Sequence, residues 1–220
     1  LAVIVSGTKY KIKSNKYKLK RQKMRKIITM TFITLDGVMQ AAGGHEEGFE
    51  YGGWEMPFQA DEMMGSVMAE YMKGSFELLL GRKTYDVFAS FWPSAPDFIE
   101  AKKPFNETKK YVVSHKEFEP DWQNSFCITG DVVTQIKKLK EESGPDLWVH
   151  GSGNLIQTLL KNNLIDRMLV SIHPLTIGSG KRLFDEGTQA EMMKLVSSKV
   201  SPMGIIFATY ERVGELKIND

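Results

Sequence analysis

Two glycines at the end of a short apolar run offer the most specific chemistry in this sequence. Residues 146–158 read D-L-W-V-H-G-S-G-N-L-I-Q-T, with Gly151 and Gly153 between the apolar run and an amphipathic segment. This order predicts a strand, a tight turn and a helix. Backbone N–H groups at a helix start have no partner within the helix and lie at its positive end, so they favour an anion such as a phosphate. An ordinary tight turn is the alternative for this motif taken alone.

A second segment repeats this arrangement earlier in the chain. Residues 77–88, E-L-L-L-G-R-K-T-Y-D-V-F, predict a strand that ends near Gly81 and a helix that begins with Arg82 and Lys83. Basic side chains oppose the dipole at a helix start, so they favour an anionic ligand here, and an arginine fork matches a phosphate. A solvated surface pair is the alternative. Two such turns in one small α/β chain predict a phosphorylated ligand, most simply a nucleotide cofactor.

Two carboxylates stand near the predicted ends of elements, where functional groups cluster. Asp36 follows the apolar run 25–35, and Asp61 lies where a helix-spaced set of apolar residues begins. Each has two interpretations, a functional acid or a capping group. The four histidines are far apart in the chain and Cys127 is the single cysteine, so we predict no metal site and no internal disulfide.

The elements that must position these residues alternate between strands and helices. Apolar and β-branched runs predict strands at 25–35, 76–80, 111–114, 125–129, 147–150 and 165–174. Helical spacing predicts helices at 58–73, 81–89, 131–142 and 154–161, whereas 91–108, which holds three prolines, is predicted to be irregular. The chain closes with strands at 193–200 and 205–213 around an S-P-M-G turn. The pattern predicts an α/β fold, a mostly parallel sheet between helices with a C-terminal antiparallel hairpin.

Charge separates the first 23 residues from the rest of the chain. Eight of the 29 basic residues and none of the 27 acidic residues lie in 1–23, so the remainder is mildly acidic and gives no argument for nucleic acid. We interpret 1–23 as a basic disordered extension from an expression vector or from upstream translation, with a nucleic-acid-binding tail as the alternative. We interpret 24–220 as one domain.

Composition also bears on where the protein acts. No apolar run approaches the roughly 18 residues of a membrane span, so we expect no membrane partner. A single cysteine among 220 residues is typical of a reducing compartment. The sequence therefore predicts a cytoplasmic protein.

Taken in order, five motifs resemble the dihydrofolate reductase superfamily. They are I-I-T-M-T-F-I-T-L-D-G, L-L-L-G-R-K-T-Y, Y-V-V-S-H, L-W-V-H-G-S-G-N-L-I-Q-T-L-L and I-H-P-L-T-I-G-S-G-K-R-L-F. The resemblance covers 24–213 and is nearest to the reductase domain of the bifunctional riboflavin-biosynthesis deaminase/reductase and its stand-alone bacterial relatives. It implies a dihydrofolate-reductase-like three-layer αβα sandwich around a mixed sheet of about eight strands.

The same resemblance implies NADPH as the cofactor. The residues expected to bind it lie at strand ends and helix starts: Thr34, Gly81, Arg82, Lys83, Thr84, Ser114, Gly151, Ser152, Gly153, Asn154 and Leu155. The group that begins with Arg82 would hold the 2′-phosphate and pyrophosphate, and Ser114 would lie by the adenosine phosphate. The second glycine turn would wrap the pyrophosphate and the nicotinamide side.

Catalytic and substrate residues are implied in the same way. Asp36 and Asp61 are the expected catalytic residues, and Gly37 and Trp54 the expected substrate contacts. The glycine-rich loop that ends at Trp54 resembles a mobile loop that closes over the nicotinamide.

The implied reaction is hydride transfer to a C=N or C=O of a pyrimidine or pteridine, as in the 5-amino-6-(5-phosphoribosylamino)uracil reductase of riboflavin biosynthesis. Because relatives pair and the terminal hairpin offers an edge, we expect a homodimer. Dihydrofolate reduction proper and a non-catalytic nucleotide-binding module are the alternatives.

Overall fold

An eight-stranded sheet forms the centre of the molecule in the computed structural model, which describes residues 2–5, 8–11, 24–44 and 48–218. Its strands are β1 (Ile27–Thr34), β2 (Phe76–Gly81), β3 (Lys110–Val113), β4 (Ser125–Ile128), β5 (Asp146–His150), β6 (Arg167–His173), β7 (Glu191–Val200) and β8 (Ile206–Glu215). The helices are α1 (Glu62–Tyr71), α2 (Arg82–Phe91), α3 (Lys102–Glu107), α4 (Val132–Glu141) and α5 (Gly153–Lys161). No helix of the described residues is long and apolar enough to cross a membrane.

The strand order brings the two predicted turns to one edge of the sheet. The order is β4-β3-β2-β5-β1-β6-β8-β7, and β8 alone runs antiparallel to its neighbours. Because β2, β5 and β1 are adjacent and parallel, their carboxyl ends at Gly81, His150 and Thr34 lie on the same side of the sheet. The mostly parallel sheet and its terminal antiparallel hairpin confirm the predicted architecture.

Helices cover both faces of the sheet, which gives three layers. Successive residues of a strand point to opposite faces, so Ile27 of β1 packs with α4 and α5 while Ile28 packs with α2 and α3. Helix α1 covers the hairpin end of the second face, where Val67 packs against Phe207. This layering fixes where the helix starts lie relative to the strand ends.

One helix was not predicted, in the segment that holds three prolines. Residues 91–108 contain a 3-10 turn at Trp92–Ser94 and helix α3. Pro104 lies in the first turn of α3, where its missing N–H costs nothing because that group has no partner within the helix. Burial of Phe105, which is 3% exposed, holds this short helix against the sheet.

The basic amino-terminal segment contains a short pair of antiparallel strands, Ala2–Val5 and Thr8–Lys11. Residues 1, 6–7 and 12–23 lie outside the described residues. The expectation that this segment is a disordered extension stays a prediction there, as does its origin.

A partly buried histidine ends β5 beneath the helices of the second face. The His150 ring centroid lies 5.3 Å from that of Phe105 and 6.0 Å from those of Phe88 and Trp148. Its Nε2 atom is buried and has no hydrogen-bond partner in the described part of the chain. Burial disfavours the charged imidazolium and lowers the pKa of His150 to about 4.

This burial predicts a loss of stability in mild acid. Between pH of about 6.5 and 4 the unfolded imidazole binds a proton that the folded one does not, so the free energy of unfolding falls as the pH falls. We expect His150→Phe to reduce that slope by up to about 1.4 kcal/mol per pH unit, measured by urea unfolding at several pH values. The exposed His115→Asn is the control and should keep the wild-type slope. An unchanged slope in His150→Phe would contradict the prediction.

Candidate functional site

The hydroxyl of Ser152 joins the two predicted turns into one site. Its oxygen accepts the N–H of Gly81 at 3.0 Å and donates to the hydroxyl of Thr84. Gly81 must lack a side chain here, because an added Cβ would lie 2.5 Å from the Ser152 oxygen. Gly151 and Ser152 both have positive φ angles, 65° and 60°, which turn the chain from β5 into α5. The starts of α2 and α5 are therefore in contact.

These two helix starts differ from those of the other long helices. Asp61 and Asp131 cap α1 and α4, each accepting a backbone N–H of the first turn. Gly81 and Ser152, which precede α2 and α5, provide no such side-chain cap. First-turn amides without a capping side chain, at the positive ends of two adjacent helices, form a donor set that fits the phosphates of a nucleotide.

Three cationic residues lie in the first turn of α2 or beside the start of α5. Arg82 and Lys83 begin α2, and both side chains are exposed to solvent at its first turn. Lys181 comes from the loop after β6, and its Cδ atom lies 3.8 Å from where a Cβ of Gly153 would sit. The sequence did not single out Lys181. Its only signal was the G-S-G-K stretch, whose spacing fails the phosphate-loop pattern.

Three other predicted cofactor residues lie around the same edge with different accessibility. Ser114 follows β3, where its N–H donates to Ile128 O at 3.0 Å and its hydroxyl to Lys116 O at 2.7 Å. Asn154 is exposed in the first turn of α5, whereas the side chain of Leu155 is buried in the core. Leu155 can therefore offer only its backbone to a ligand.

Asp36 fastens the loop after β6 to the end of β1. Its carboxylate accepts the N–H of Gly178 at 2.8 Å and of Ile177 at 3.2 Å, and the hydroxyl of Thr34 at 2.5 Å. The Thr34 hydroxyl, followed by the Gly178 amide, lowers the pKa of Asp36 to about 2. The group is therefore an ionised acceptor at neutral pH, which suits a latch better than a proton donor. Its catalytic role stays a prediction.

Thr34 takes part in the same structure through its hydroxyl, and Gly37 through its backbone. The Thr34 hydroxyl also accepts the N–H of Val38 at 3.0 Å, and Thr34 is fully buried. Gly37, with a φ of 82°, makes the turn, and its carbonyl accepts the N–H of Leu183. Thr34, a predicted cofactor residue, and Gly37, a predicted substrate contact, thus shape the turn after β1.

Asp61 caps α1 and binds the turn of the terminal hairpin. Its carboxylate accepts the N–H of Met63 at 2.9 Å and of Met203 at 3.0 Å. Burial favours the neutral acid, but hydrogen bonds from Ser201 and the backbone outweigh it and lower the pKa of Asp61. The capping interpretation of Asp61 is confirmed, and its catalytic role stays a prediction.

Trp54 belongs to an aromatic cluster at the ends of β1 and β6. His173, which pairs with Thr34 in register, is fully buried, and its ring lies 5.1–5.5 Å from those of Phe32, Trp54 and Phe58. The Trp54 indole donates to Gln40 O at 2.9 Å and is 7% exposed. The expected substrate contact is thus part of a packed wall.

The residue after Trp54 carries a carboxyl group that the sequence did not single out. Glu55 follows Trp54 and is 5% exposed, and Gln59 donates to its carboxylate at 3.4 Å. Burial raises the pKa of Glu55. A raised pKa favours the protonated carboxyl, the state that a general acid requires.

The latch geometry predicts that Asp36 acts on stability. We expect Asp36→Asn to lower the midpoint of thermal unfolding and to speed hydrogen exchange at the Gly178 amide, because the acceptor loses its charge. The control is Asp185→Asn, whose exposed carboxylate accepts only the adjacent Glu186 N–H in the described structure. If Asp36→Asn changed neither property, the latch would be refuted and a functional role favoured.

Known proteins resemble this chain in sequence and in fold. The uncharacterized protein YyaP of Bacillus subtilis (strain 168) is 30% identical over 191 residues, which cover 86% of this chain and 95% of YyaP. A crystal structure of a protein from Shewanella sp. PV-4 named for riboflavin biosynthesis has a TM-score of 0.61 and 24% identity, covering 85% of this chain and 98% of that one. Dihydrofolate reductase from Enterococcus faecalis complexed with NADP(H) has a TM-score of 0.52 and 11% identity, covering 87% and 98%.

These structural likenesses confirm the dihydrofolate-reductase-like fold. The family model of the RibD C-terminal domain matches residues 25–207, which include the starts of α2 and α5, Asp36 and the aromatic cluster around His173. Because this match spans well over half of the chain, the chain belongs to the RibD C-terminal domain family.

Proposed function

We propose that this protein is an NADPH-dependent reductase. The observation that carries the proposal is the contact, made by the Ser152 hydroxyl, between two helix starts that lack side-chain caps. Membership in the RibD C-terminal domain family supports it, as does the likeness of the fold to a dihydrofolate reductase complexed with NADP(H).

The residues at these helix starts would bind the cofactor. The first-turn amides of α2 and α5 would donate to the phosphates, and Arg82, Lys83 and Lys181 would balance their charge. Ser114 lies at the end of β3 on the α2 side, where it would border the adenosine part. When bound, NADPH would supply a hydride to a C=N or C=O carbon of the substrate.

The aromatic wall supports a flat heterocyclic substrate. Trp54 and Phe58 pack around His173 at the ends of β1 and β6, and a wall of this kind excludes water from the reacting carbon. We propose a pyrimidine or pteridine substrate, similar to that of the 5-amino-6-(5-phosphoribosylamino)uracil reductase. Glu55 is better suited than Asp36 to supply the proton, because burial raises its pKa whereas hydrogen bonds lower that of Asp36.

We also propose that the protein is a homodimer that acts in the cytoplasm. Strand β7 is one of the two edge strands of the eight-stranded sheet in the described residues, and it exposes Leu195, Val196 and Val200, each by about half or more. Antiparallel pairing of two identical edges satisfies a twofold axis and the unpaired backbone groups together. The single Cys127 is a free thiol, which is typical of a reducing compartment.

Nucleotide binding tests the function directly. Titration with NADPH and NADH, followed by nicotinamide fluorescence, should give dissociation constants on the order of micromolar and a preference for NADPH. Arg82→Ala should lose the preference, because in this proposal the Arg82 guanidinium would pair with the 2′-phosphate. The control is Lys103→Ala, which removes an exposed cation of α3 and should leave the preference intact.

Two outcomes would contradict or narrow the proposal. Failure of the wild-type protein to bind either nucleotide would refute the reductase. Binding of NADPH without turnover of any pyrimidine, pterin or quinone would favour the non-catalytic nucleotide-binding module, and strong inhibition by an antifolate would favour dihydrofolate reduction.

The dimer has its own test. Light scattering during gel filtration should give twice the chain mass of 24.9 kDa, and Leu195→Lys should give the monomer because a charge at the edge opposes strand pairing. The control is Phe98→Lys, which changes an 85% exposed apolar residue away from β7 and should leave the dimer intact. A monomeric wild-type protein would contradict the proposal.

A further inference from the structure

We infer that Asp86 weakens the preference for NADPH over NADH, because its carboxylate pairs with the Arg82 guanidinium, the cation that would face a 2′-phosphate. The inference rests on the proposed cofactor site and adds a residue that determines its specificity. Asp86 is one helical turn after Arg82 on α2 and is not part of the set predicted to bind the cofactor.

Two contacts hold the guanidinium of Arg82. Its Nε donates to the Asp86 carboxylate at 2.8 Å, in an i,i+4 pair on the outer face of α2. Its Cζ atom lies 3.7 Å from the centroid of the Phe118 ring, within the range of a cation–π contact. The ion pair uses one edge of the guanidinium and the ring covers one face, so fewer donors remain for a phosphate.

The surroundings of Arg82 are acidic. A cavity of about 300 Å³ lies between α2 and the loop after β3, and Asp86, Glu119 and Asp121 line it together with Arg82. Tyr85 fixes one of these groups, because its hydroxyl donates to the Asp121 carboxylate at 3.0 Å. Three carboxylates against one guanidinium disfavour a phosphate dianion at this position.

The two cofactors would therefore meet different costs at this position. The 2′-phosphate of NADPH would share the Arg82 guanidinium with the Asp86 carboxylate, which reduces the attraction that the phosphate gains. NADH carries a hydroxyl at the same position and leaves the ion pair intact. Asp86 thus makes the preference for NADPH smaller than Arg82 alone would give.

Replacement of Asp86 by Asn tests this inference. We expect Asp86→Asn to tighten NADPH binding by about two- to fivefold, the range that an exposed ion pair allows, and to leave NADH binding unchanged. Glu107→Gln is a matched control, because it removes the carboxylate of an exposed i,i+4 pair with Lys103 on α3. It should change neither affinity. The gain in Asp86→Asn should shrink as salt rises, because exposed charges are screened.

A double-mutant cycle separates the proposed route from direct repulsion. If Asp86 acts through Arg82, then Asp86→Asn should give no gain in an Arg82→Ala background. An equal gain in both backgrounds would overturn the inference, as would equal changes in NADPH and NADH affinity or no change in either. These outcomes differ from failure of the proposed function, in which the wild-type protein binds neither nucleotide.

Discussion

The hydroxyl of Ser152 is the interaction on which the candidate site depends. It accepts the Gly81 amide and donates to Thr84, so one side chain holds the starts of α2 and α5 together at the carboxyl edge of the sheet. That contact requires a glycine at position 81 and a left-handed backbone at Ser152. A non-glycine residue in this conformation carries a cost, which the surrounding packing of α5 must offset. Because the two strands that lead into these helices are adjacent and parallel, their contact creates one donor set from two separate turns.

Two carboxylates connect other elements of the fold through backbone N–H groups. Asp36 connects the end of β1 to the loop after β6, and Asp61 connects the start of α1 to the turn between β7 and β8. Each accepts backbone N–H groups that would otherwise lack a partner, and charged acceptors bind such groups more strongly than neutral ones. The same loop after β6 carries Lys181 to the start of α5. Asp36 thus holds the loop that carries Lys181.

The regular parts of this fold follow from local signals, and the site follows only partly. β-Branched runs and glycine punctuation located the strands and the α2 and α5 starts, because these depend on residues close in sequence. The link between Gly81 and Ser152 spans 71 residues, and that between Asp36 and Gly178 spans 142. No local pattern identifies partners that lie so far apart in the chain. The sequence could therefore place Asp36 near the end of a strand, but it could not distinguish a carboxylate that holds a loop from a catalytic acid. Helix α3 was not predicted because its local signal is misleading. A proline normally marks a break in a helix, whereas Pro104 lies in the first turn of α3.

A crystal structure of the protein grown with NADPH would test the central claim most directly. We expect the pyrophosphate to lie against the first-turn amides of α2 and α5, beside Ser152, and the nicotinamide to lie toward the wall that contains Trp54. Phosphates bound elsewhere on the molecule, with these amides left to solvent, would contradict it.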